Sequence, residues 1–148
     1  MSLELTINDA IKTAMREKDR VALDSLRAVK AQILLLKTEA IGAEVSAEQE
    51  IAILQRMIKQ RKDSYDQFTA QGRTDLAEVE EAQSKVIEKF LPQQLSAEEL
   101  ESEIKKIISE TSAESIKDLG KVMGVASKAL SGKSDGKSIS EMVKKLLA

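Results

Sequence analysis

The 148-residue chain contains no cysteine, no histidine and no tryptophan. It therefore lacks thiol nucleophiles, imidazole bases and the side chains that hold most zinc ions, and we predict no catalytic residue, no metal site and no cofactor. Only 2% of its residues are aromatic. This argues against the base-stacking surfaces of common single-strand RNA modules, so any RNA binding would depend on shape and phosphate.

The chain has a single proline and no alternating apolar runs typical of strands. Apolar residues instead recur at helical spacing almost throughout, which predicts an all-α fold. The composition, 42% hydrophobic and 32% charged, is typical of a soluble globular protein. No secretory signal pattern or apolar run of about 20 residues is present. These features predict a cytoplasmic protein without a membrane partner.

Residues 1–92 are predicted to form an N-terminal bundle of about four helices joined by short connections. The first helix is predicted to end near Glu17, and Asp19 to cap the second, which Gly42 closes. A capping-box pattern, Ser46 followed three residues later by Gln49, opens the third helix. The third is expected to end before Gly72, and the fourth to run from about Thr74 to Phe90.

One polar residue interrupts the predicted apolar seam of each of the last two helices in this bundle. Arg61 lies on the seam of the third helix, and Gln83 lies on that of the fourth, between Val79 and Val86. Because an unpaired charge at such a position is costly, we expect Arg61 to pair with Gln83 or with the nearby Glu80. The rest of the basic run 56–63 is typical of a solvated helix face.

Pro92 marks the predicted boundary to a small C-terminal domain of three helices, residues 93–148. Its first helix opens with a second capping-box pattern at Ser96. Ser115 is predicted to start the next helix, and either Asp135 or Ser138 to cap the last.

The C-terminal segment is locally basic, because residues 117–148 carry seven lysines and three acidic residues. At about 100° per residue, Lys117, Lys121, Gly124 and Lys128 fall on one side of the predicted helix, opposite its apolar residues. A glycine inside a helix costs about 1 kcal/mol relative to alanine, so an outward one needs a reason. Two remain open for Gly124 and for Gly120, which lies off the lysine stripe: close approach of a negatively charged backbone, or tight helix packing.

The sequence Ser131-Gly-Lys-Ser-Asp-Gly-Lys-Ser138 contains Gly-Lys-Ser twice. A phosphate-binding P-loop needs another glycine ahead of this triplet, where the chain has Ser127 and Ser131, and no strand precedes it, which argues against a nucleotide site. A helix N-terminus near Asp135, flanked by Lys133 and Lys137, suits one phosphate of a polynucleotide. The alternative is a flexible, solvated loop.

Several longer segments resemble the YqeY-like proteins (GatB/YqeY family), whose domain also forms the tail of the B subunit of the bacterial tRNA-dependent amidotransferase. The resemblance covers essentially the whole chain and depends on Arg61-Lys-Asp-Ser64, Phe90-Leu-Pro-Gln-Gln-Leu-Ser-Ala-Glu-Glu-Leu100, Asp118-Leu-Gly-Lys-Val-Met-Gly124 and Gly132-Lys-Ser-Asp-Gly-Lys137. Leu119 and Ser134 depart from the Met and Ala expected of the family.

The resemblance implies an N-terminal bundle, a small C-terminal three-helix domain and a tail that helps to hold tRNA. Added to the lysine stripe, it gives the candidate RNA-binding set Lys117, Gly120, Lys121, Gly124, Lys128, Lys133, Asp135, Gly136 and Lys137.

Three functions follow as hypotheses. The first is a non-catalytic accessory protein that binds folded tRNA. The second is a module that binds an amidotransferase subunit or another cytoplasmic protein. The third, implied by the family, is participation in carbon–nitrogen ligase activity with glutamine as the nitrogen donor. The chain resembles the tail alone, without the catalytic body of the B subunit.

Overall fold

The computed structural model describes residues 2–39 and 44–148, and within these ranges it contains seven α-helices and no strand. The predicted all-α fold is confirmed. Gly42, predicted to close the second helix, lies outside the described residues. The helices are α1 (Leu3–Glu17), α2 (Arg20–Glu39), α3 (Ala47–Ala70), α4 (Thr74–Glu88), α5 (Ala97–Thr111), α6 (Leu119–Ala129) and α7 (Gly136–Leu147), with a 3-10 turn at Ile116–Asp118.

The chain divides into two compact units, Met1–Leu91 and Pro92–Ala148. Each has its own apolar core. In the described ranges, no helix has the length and apolarity that crossing a membrane requires.

In the N-terminal unit, α1 and α2 form a hairpin that turns at Lys18, a non-glycine residue with φ of 57°. Asp19 caps α2 by accepting a hydrogen bond from the Ala22 N–H at 3.0 Å, and the capping box at Ser46 opens α3. These local signals fix where the helices begin. The side chains at the centre of the core, all at most 2% exposed, are Ile7, Val29, Ile33, Leu54 and Ile87.

The buried face of α4 differs from the predicted seam. Val79 is 46% exposed, whereas Ala77 and Ser84 are buried together with Ile87. α4 packs chiefly against α3, and small side chains in such an interface let two helices approach closely. A prediction from the apolar pattern alone prefers a valine to an alanine or a serine at a buried position. It therefore placed Val79 on the buried face of α4 instead of Ala77 and Ser84. α4 also ends at Glu88 rather than at Phe90.

Arg61 and Gln83 are joined across α3 and α4. The Nε of Arg61 donates to the Oε1 of Gln83 at 3.1 Å, and one terminal nitrogen of Arg61 donates to the Met57 carbonyl at 3.3 Å. Both side chains are half-buried. The guanidinium therefore has polar partners within the helix interface, and Gln83 is one of the two partners considered from the sequence.

We expect the Arg61–Gln83 pair to contribute about 1 kcal/mol of coupling free energy, since hydrogen bonds of charged groups exceed neutral ones. The measurement is a double-mutant cycle of Arg61→Ala and Gln83→Ala in urea unfolding. The control is the exposed pair Arg56 and Gln32, in which an arginine nitrogen lies 3.0 Å from the amide oxygen. Its coupling should stay below about 0.5 kcal/mol. Equal coupling in the two cycles would contradict a special role for the half-buried pair Arg61 and Gln83.

In the C-terminal unit, α5, α6 and α7 pack around a second core. Capping boxes at Ser96 and Ser115 open α5 and the 3-10 turn. Each helix contributes side chains from one face, which leaves its opposite face to solvent. The core side chains that are fully buried, all 0% exposed, are Ile104, Val122, Ala126 and Val143.

Candidate nucleic-acid interface

One outward face of α6 brings two glycines and two lysines together. Val122, Ala126 and Leu130 on the inner side are at most 2% exposed. On the outer side, the residues that we call the α6 face line a shallow depression: Gly120, Lys121, Gly124, Val125, Lys128 and Ala129. Gly120 thus lies beside the lysines, although helical angles alone placed it off their stripe.

Neither glycine of the α6 face is required by packing within the described part of the chain. A Cβ added at Gly120 or at Gly124 would meet no heavy atom within 4 Å. Neither residue has a positive φ, so the backbone conformation does not demand glycine either. No described residue therefore occupies the space that the missing side chains leave, and a partner from outside the chain could use it. This observation bears equally on a nucleic-acid backbone and on a helix of another protein.

Lys117 does not continue the stripe of α6. The sequence predicted that the helix starts at Ser115, but residues Ile116–Asp118 form a 3-10 turn and α6 begins at Leu119. A 3-10 turn advances about 120° per residue rather than 100°, so the helical angle assigned to Lys117 does not hold. The Lys117 side chain is exposed before α6 begins.

The carboxylate of Asp118 organises this tight turn. Its Oδ2 accepts hydrogen bonds from the N–H groups of Glu114 at 2.9 Å and Ser115 at 3.4 Å. These two backbone donors hold the pKa of Asp118 below its ordinary value, and the nearby charge of Lys121 lowers it further. Asp118 thereby fixes the turn from which α6 starts.

Replacing Asp118 by asparagine should destabilise the C-terminal unit in a pH-dependent way. Because folding lowers the pKa of Asp118, its contribution is present above the unfolded pKa of about 3.9 and is lost as the pH falls through the folded value. The difference between wild type and Asp118→Asn in thermal unfolding should therefore shrink between about pH 6 and about pH 3. Glu103→Gln, which removes an exposed carboxylate outside any cap, is the control. A difference that did not change with pH would contradict this role.

The segment between α6 and α7 is hydrogen-bonded to the residues that precede α5 in the C-terminal unit. Gly132 is buried with φ of 78°, and its carbonyl accepts a hydrogen bond from the side-chain amide of Gln94 at 2.6 Å. The Lys133 carbonyl accepts from the Leu95 N–H at 2.9 Å. These contacts favour an ordered connection over the solvated loop considered from the sequence. The side chain of Lys133 is exposed on it.

Asp135 is the N-cap of α7. Its Oδ1 accepts from the Ser138 N–H at 3.3 Å, and its carbonyl accepts from the Ile139 N–H at 3.1 Å. The carboxylate therefore lies where the sequence analysis expected a phosphate. We assign Asp135 the capping role that the structure shows. The exposed residues Gly136 and Lys137 form the first turn, and a Cβ at Gly136 would meet nothing within 4 Å.

The structure thus groups some of the predicted residues and separates others. Gly120, Lys121, Gly124 and Lys128 share one face of α6. Lys133, Gly136 and Lys137 lie on the connection and on the first turn of α7. None of the candidate lysines forms an ion pair with an acidic side chain of the described residues. Val125, which is 40% exposed, and Ala129 were missed, and their only sequence signal was an angular position next to the lysines.

Alanine substitutions at two glycines should change stability in opposite directions. Gly124→Ala should raise the free energy of unfolding by about 0.5–1 kcal/mol, because the added Cβ is free of contacts and alanine favours the helix. Gly132→Ala should lower it by about 1–2 kcal/mol, since alanine disfavours a positive φ. Urea unfolding followed by circular dichroism measures both. Destabilisation by Gly124→Ala would mean that the glycine is needed within the chain.

These features define a two-unit all-α protein whose C-terminal unit presents a lysine and glycine surface. The family model described as "Yqey-like protein" matches residues 4–147, and the chain belongs to this family. The match spans both units.

The chain is also similar to curated fungal proteins called "Altered inheritance of mitochondria protein 41, mitochondrial". The Meyerozyma guilliermondii protein is 36% identical over 58% of this chain and 44% of its own length. The Clavispora lusitaniae protein is 31% identical over 70% of the chain and 61% of its own length. The Pyrenophora tritici-repentis protein is 27% identical over 93% of the chain and 76% of its own length. The chain therefore spans about half the length of the first two relatives. Since all three are mitochondrial by name, a cytoplasmic location stays a prediction for this chain.

Proposed function

We propose that the protein is a non-catalytic accessory protein that binds folded tRNA through its C-terminal unit. The observation that carries the proposal is the α6 face, where an added Cβ at either outward glycine would meet none of the described residues. Beside the glycines, Lys121 and Lys128 form no ion pair within the described part of the chain. The choice of tRNA among RNAs comes from the resemblance to the amidotransferase tail. The whole-length activity of the fungal relatives is not carried over.

The arrangement suits a sugar–phosphate backbone. Lys121 and Lys128 are two helical turns apart, about 10 Å along the axis, and Gly124 lies between them. A strand that crosses α6 can approach the helix backbone at the glycine, while the lysines on either side neutralise phosphates. Lys133 and Lys137 extend the positive charge onto the connection and the first turn of α7. Lys117 adds charge before α6 begins.

The acidic residues next to this surface have structural roles within the C-terminal unit. Asp118 holds the 3-10 turn, and Asp135 caps α7. In this proposal, family-type carbon–nitrogen ligase activity with glutamine would require partner subunits that supply the reacting groups. The protein itself would hold the RNA.

The test is fluorescence anisotropy with total tRNA at about 50 and about 200 mM salt, comparing wild type with Lys121→Ala/Lys128→Ala. We expect binding that weakens with salt, and a log–log salt slope that is smaller in the variant by about 0.7–0.9 for each lost phosphate contact. The control, Lys105→Ala/Lys106→Ala, removes the same charge from α5. If both variants lost the same tRNA affinity, the effect would depend on the net charge of the protein alone, which would contradict the assigned surface.

A second test separates the glycines from the charge. Gly120→Ala/Gly124→Ala should weaken tRNA binding although it stabilises the fold, because the methyl groups keep the backbone of the ligand away. Ser127→Ala, at an exposed position of α6 outside the α6 face, also raises helix propensity, by less than the two glycine changes, and adds no such obstruction. If the glycine variant bound tRNA as tightly as the wild type, the RNA backbone would not need to approach α6 closely at the glycines, and this part of the proposal would be wrong.

A protein partner is the second candidate function, and the apolar part of the α6 face favours it. Val125 of this face is 40% exposed, and Ala129 adds a small side chain at the depression. Ile116, in the 3-10 turn before α6, is 49% exposed. A partner helix could pack against the glycines with acidic residues near the lysines. Two results together would favour this function over the first. The protein would not bind tRNA at either salt concentration, and it would capture an amidotransferase subunit in a complex that resists nuclease treatment.

A further inference from the structure

The α6 face exposes a main-chain group of the helix as well as its lysines. A helical side chain covers the turn that precedes it, so a side chain at position 124 would lie over the carbonyl of Gly120. Both positions are glycine, with nothing within 4 Å of an added Cβ. Met123, the other residue one turn beyond Gly120, packs against the core. Helical geometry therefore leaves the Gly120 carbonyl without a covering side chain.

This carbonyl has the capacity to accept a second hydrogen bond. Within α6 it accepts from the Gly124 N–H, as in any α-helix, and this bond uses one of the two lone pairs of the oxygen. Carbonyl groups on the solvent side of a helix also tilt outward. A ligand that fills the depression can therefore donate a hydrogen bond to the oxygen of Gly120.

The C-terminal unit has few side chains that could stack on bases or read them. Residues 92–148 contain no aromatic residue, no arginine and no asparagine. Of the two glutamines, Gln94 donates its side-chain amide to main-chain carbonyls. Single-stranded RNA is recognised chiefly through stacking and base edges, whereas a double helix pairs its bases internally and presents sugars and phosphates. The composition of the unit therefore favours a double-helical ligand.

The lining of the α6 face is complementary to the minor groove of A-form RNA. This groove is wide and shallow, and it displays the ribose 2′-hydroxyl groups. The lining includes two lysines and no acidic residue, which suits the phosphates that border the groove. Val125 and Ala129, also in the lining, offer apolar contacts to the C–H groups of the riboses.

We propose that the α6 face binds the minor groove of an A-form RNA duplex, and that the Gly120 carbonyl accepts a hydrogen bond from a ribose 2′-hydroxyl. Lys121 and Lys128 meet phosphates at the borders of the groove. DNA lacks the 2′-hydroxyl donor, so this hydrogen bond selects RNA. The inference rests on the proposed binding of RNA by this face, and it adds the form of the RNA and the atom that recognises it.

The experiment measures fluorescence anisotropy of the full chain with an RNA duplex of about 16 base pairs, the span of a double-stranded RNA-binding domain. A second duplex has the same sequence with 2′-fluoro sugars, which keep the A-form but cannot donate a hydrogen bond. At about 50 mM salt, the 2′-fluoro duplex should bind about fivefold more weakly, the ratio expected for one neutral hydrogen bond. The separated RNA strands should bind more weakly than their duplex.

The variant Gly124→Ala should abolish the preference for the hydroxyl-bearing duplex, because its methyl group covers the Gly120 carbonyl. The RNA duplex should then bind no more tightly than the 2′-fluoro duplex. The control, Ser127→Ala, adds no group over this carbonyl and should keep the fivefold ratio. Circular dichroism checks that both variants are folded. An unchanged preference in Gly124→Ala would overturn the assignment of the Gly120 carbonyl.

The remaining outcomes separate this inference from the proposed function. If the protein bound tRNA but preferred the separated strands to the duplex, tRNA binding would stand and the duplex proposal would fail. If the wild type bound both duplexes equally, the hydrogen bond to the 2′-hydroxyl would be wrong. If neither tRNA nor the duplex bound, the proposed function would fail together with this inference.

Discussion

The two-sidedness of α6 is the constraint on which the C-terminal unit depends. Val122 and Ala126 are 0% exposed and anchor the helix between α5 and α7. With these residues inside, helical geometry leaves no choice about which residues lie outside, and Gly124 and Lys128 face solvent. The core and the candidate surface are therefore two consequences of one orientation. A change that rotated α6 would lose both together.

Much of the fold could be predicted because the deciding signals are local. Capping boxes at Ser46 and Ser96 fix helix starts through contacts only three residues apart. By contrast, the buried face of α4 depends on how closely α3 approaches it, which is a tertiary property. A strong apolar residue such as Val79 was therefore placed inside, and the small Ser84 was overlooked. The hydroxyl of Ser84 is buried without a hydrogen-bond partner among the described residues. Burial of an unpaired hydroxyl costs free energy, and a sequence pattern does not predict it.

The candidate surface was predictable to a similar degree and for the same reason. Lys121, Gly124 and Lys128 follow directly from the period of an α-helix. Lys117 does not, because the change to a 3-10 turn depends on the two backbone hydrogen bonds of Asp118. The role of Asp135 also needed coordinates, since an aspartate before a helix can either cap it or leave its N–H groups to a ligand.

The hydrogen bonds from Gln94 and Leu95 to Gly132 and Lys133 have a consequence for where the C-terminal unit begins. Residues before α5 close a loop with the connection between α6 and α7, so they belong to the tertiary structure even though they form no helix. A fragment starting at Ser96 would keep all three helices and the residues of the capping boxes at Ser96 and Ser115. It would nonetheless remove the Gln94 and Leu95 groups that donate hydrogen bonds to the carbonyls of Gly132 and Lys133. Excision of a stable unit thus depends on four residues, 92–95, that secondary structure alone would assign to a linker.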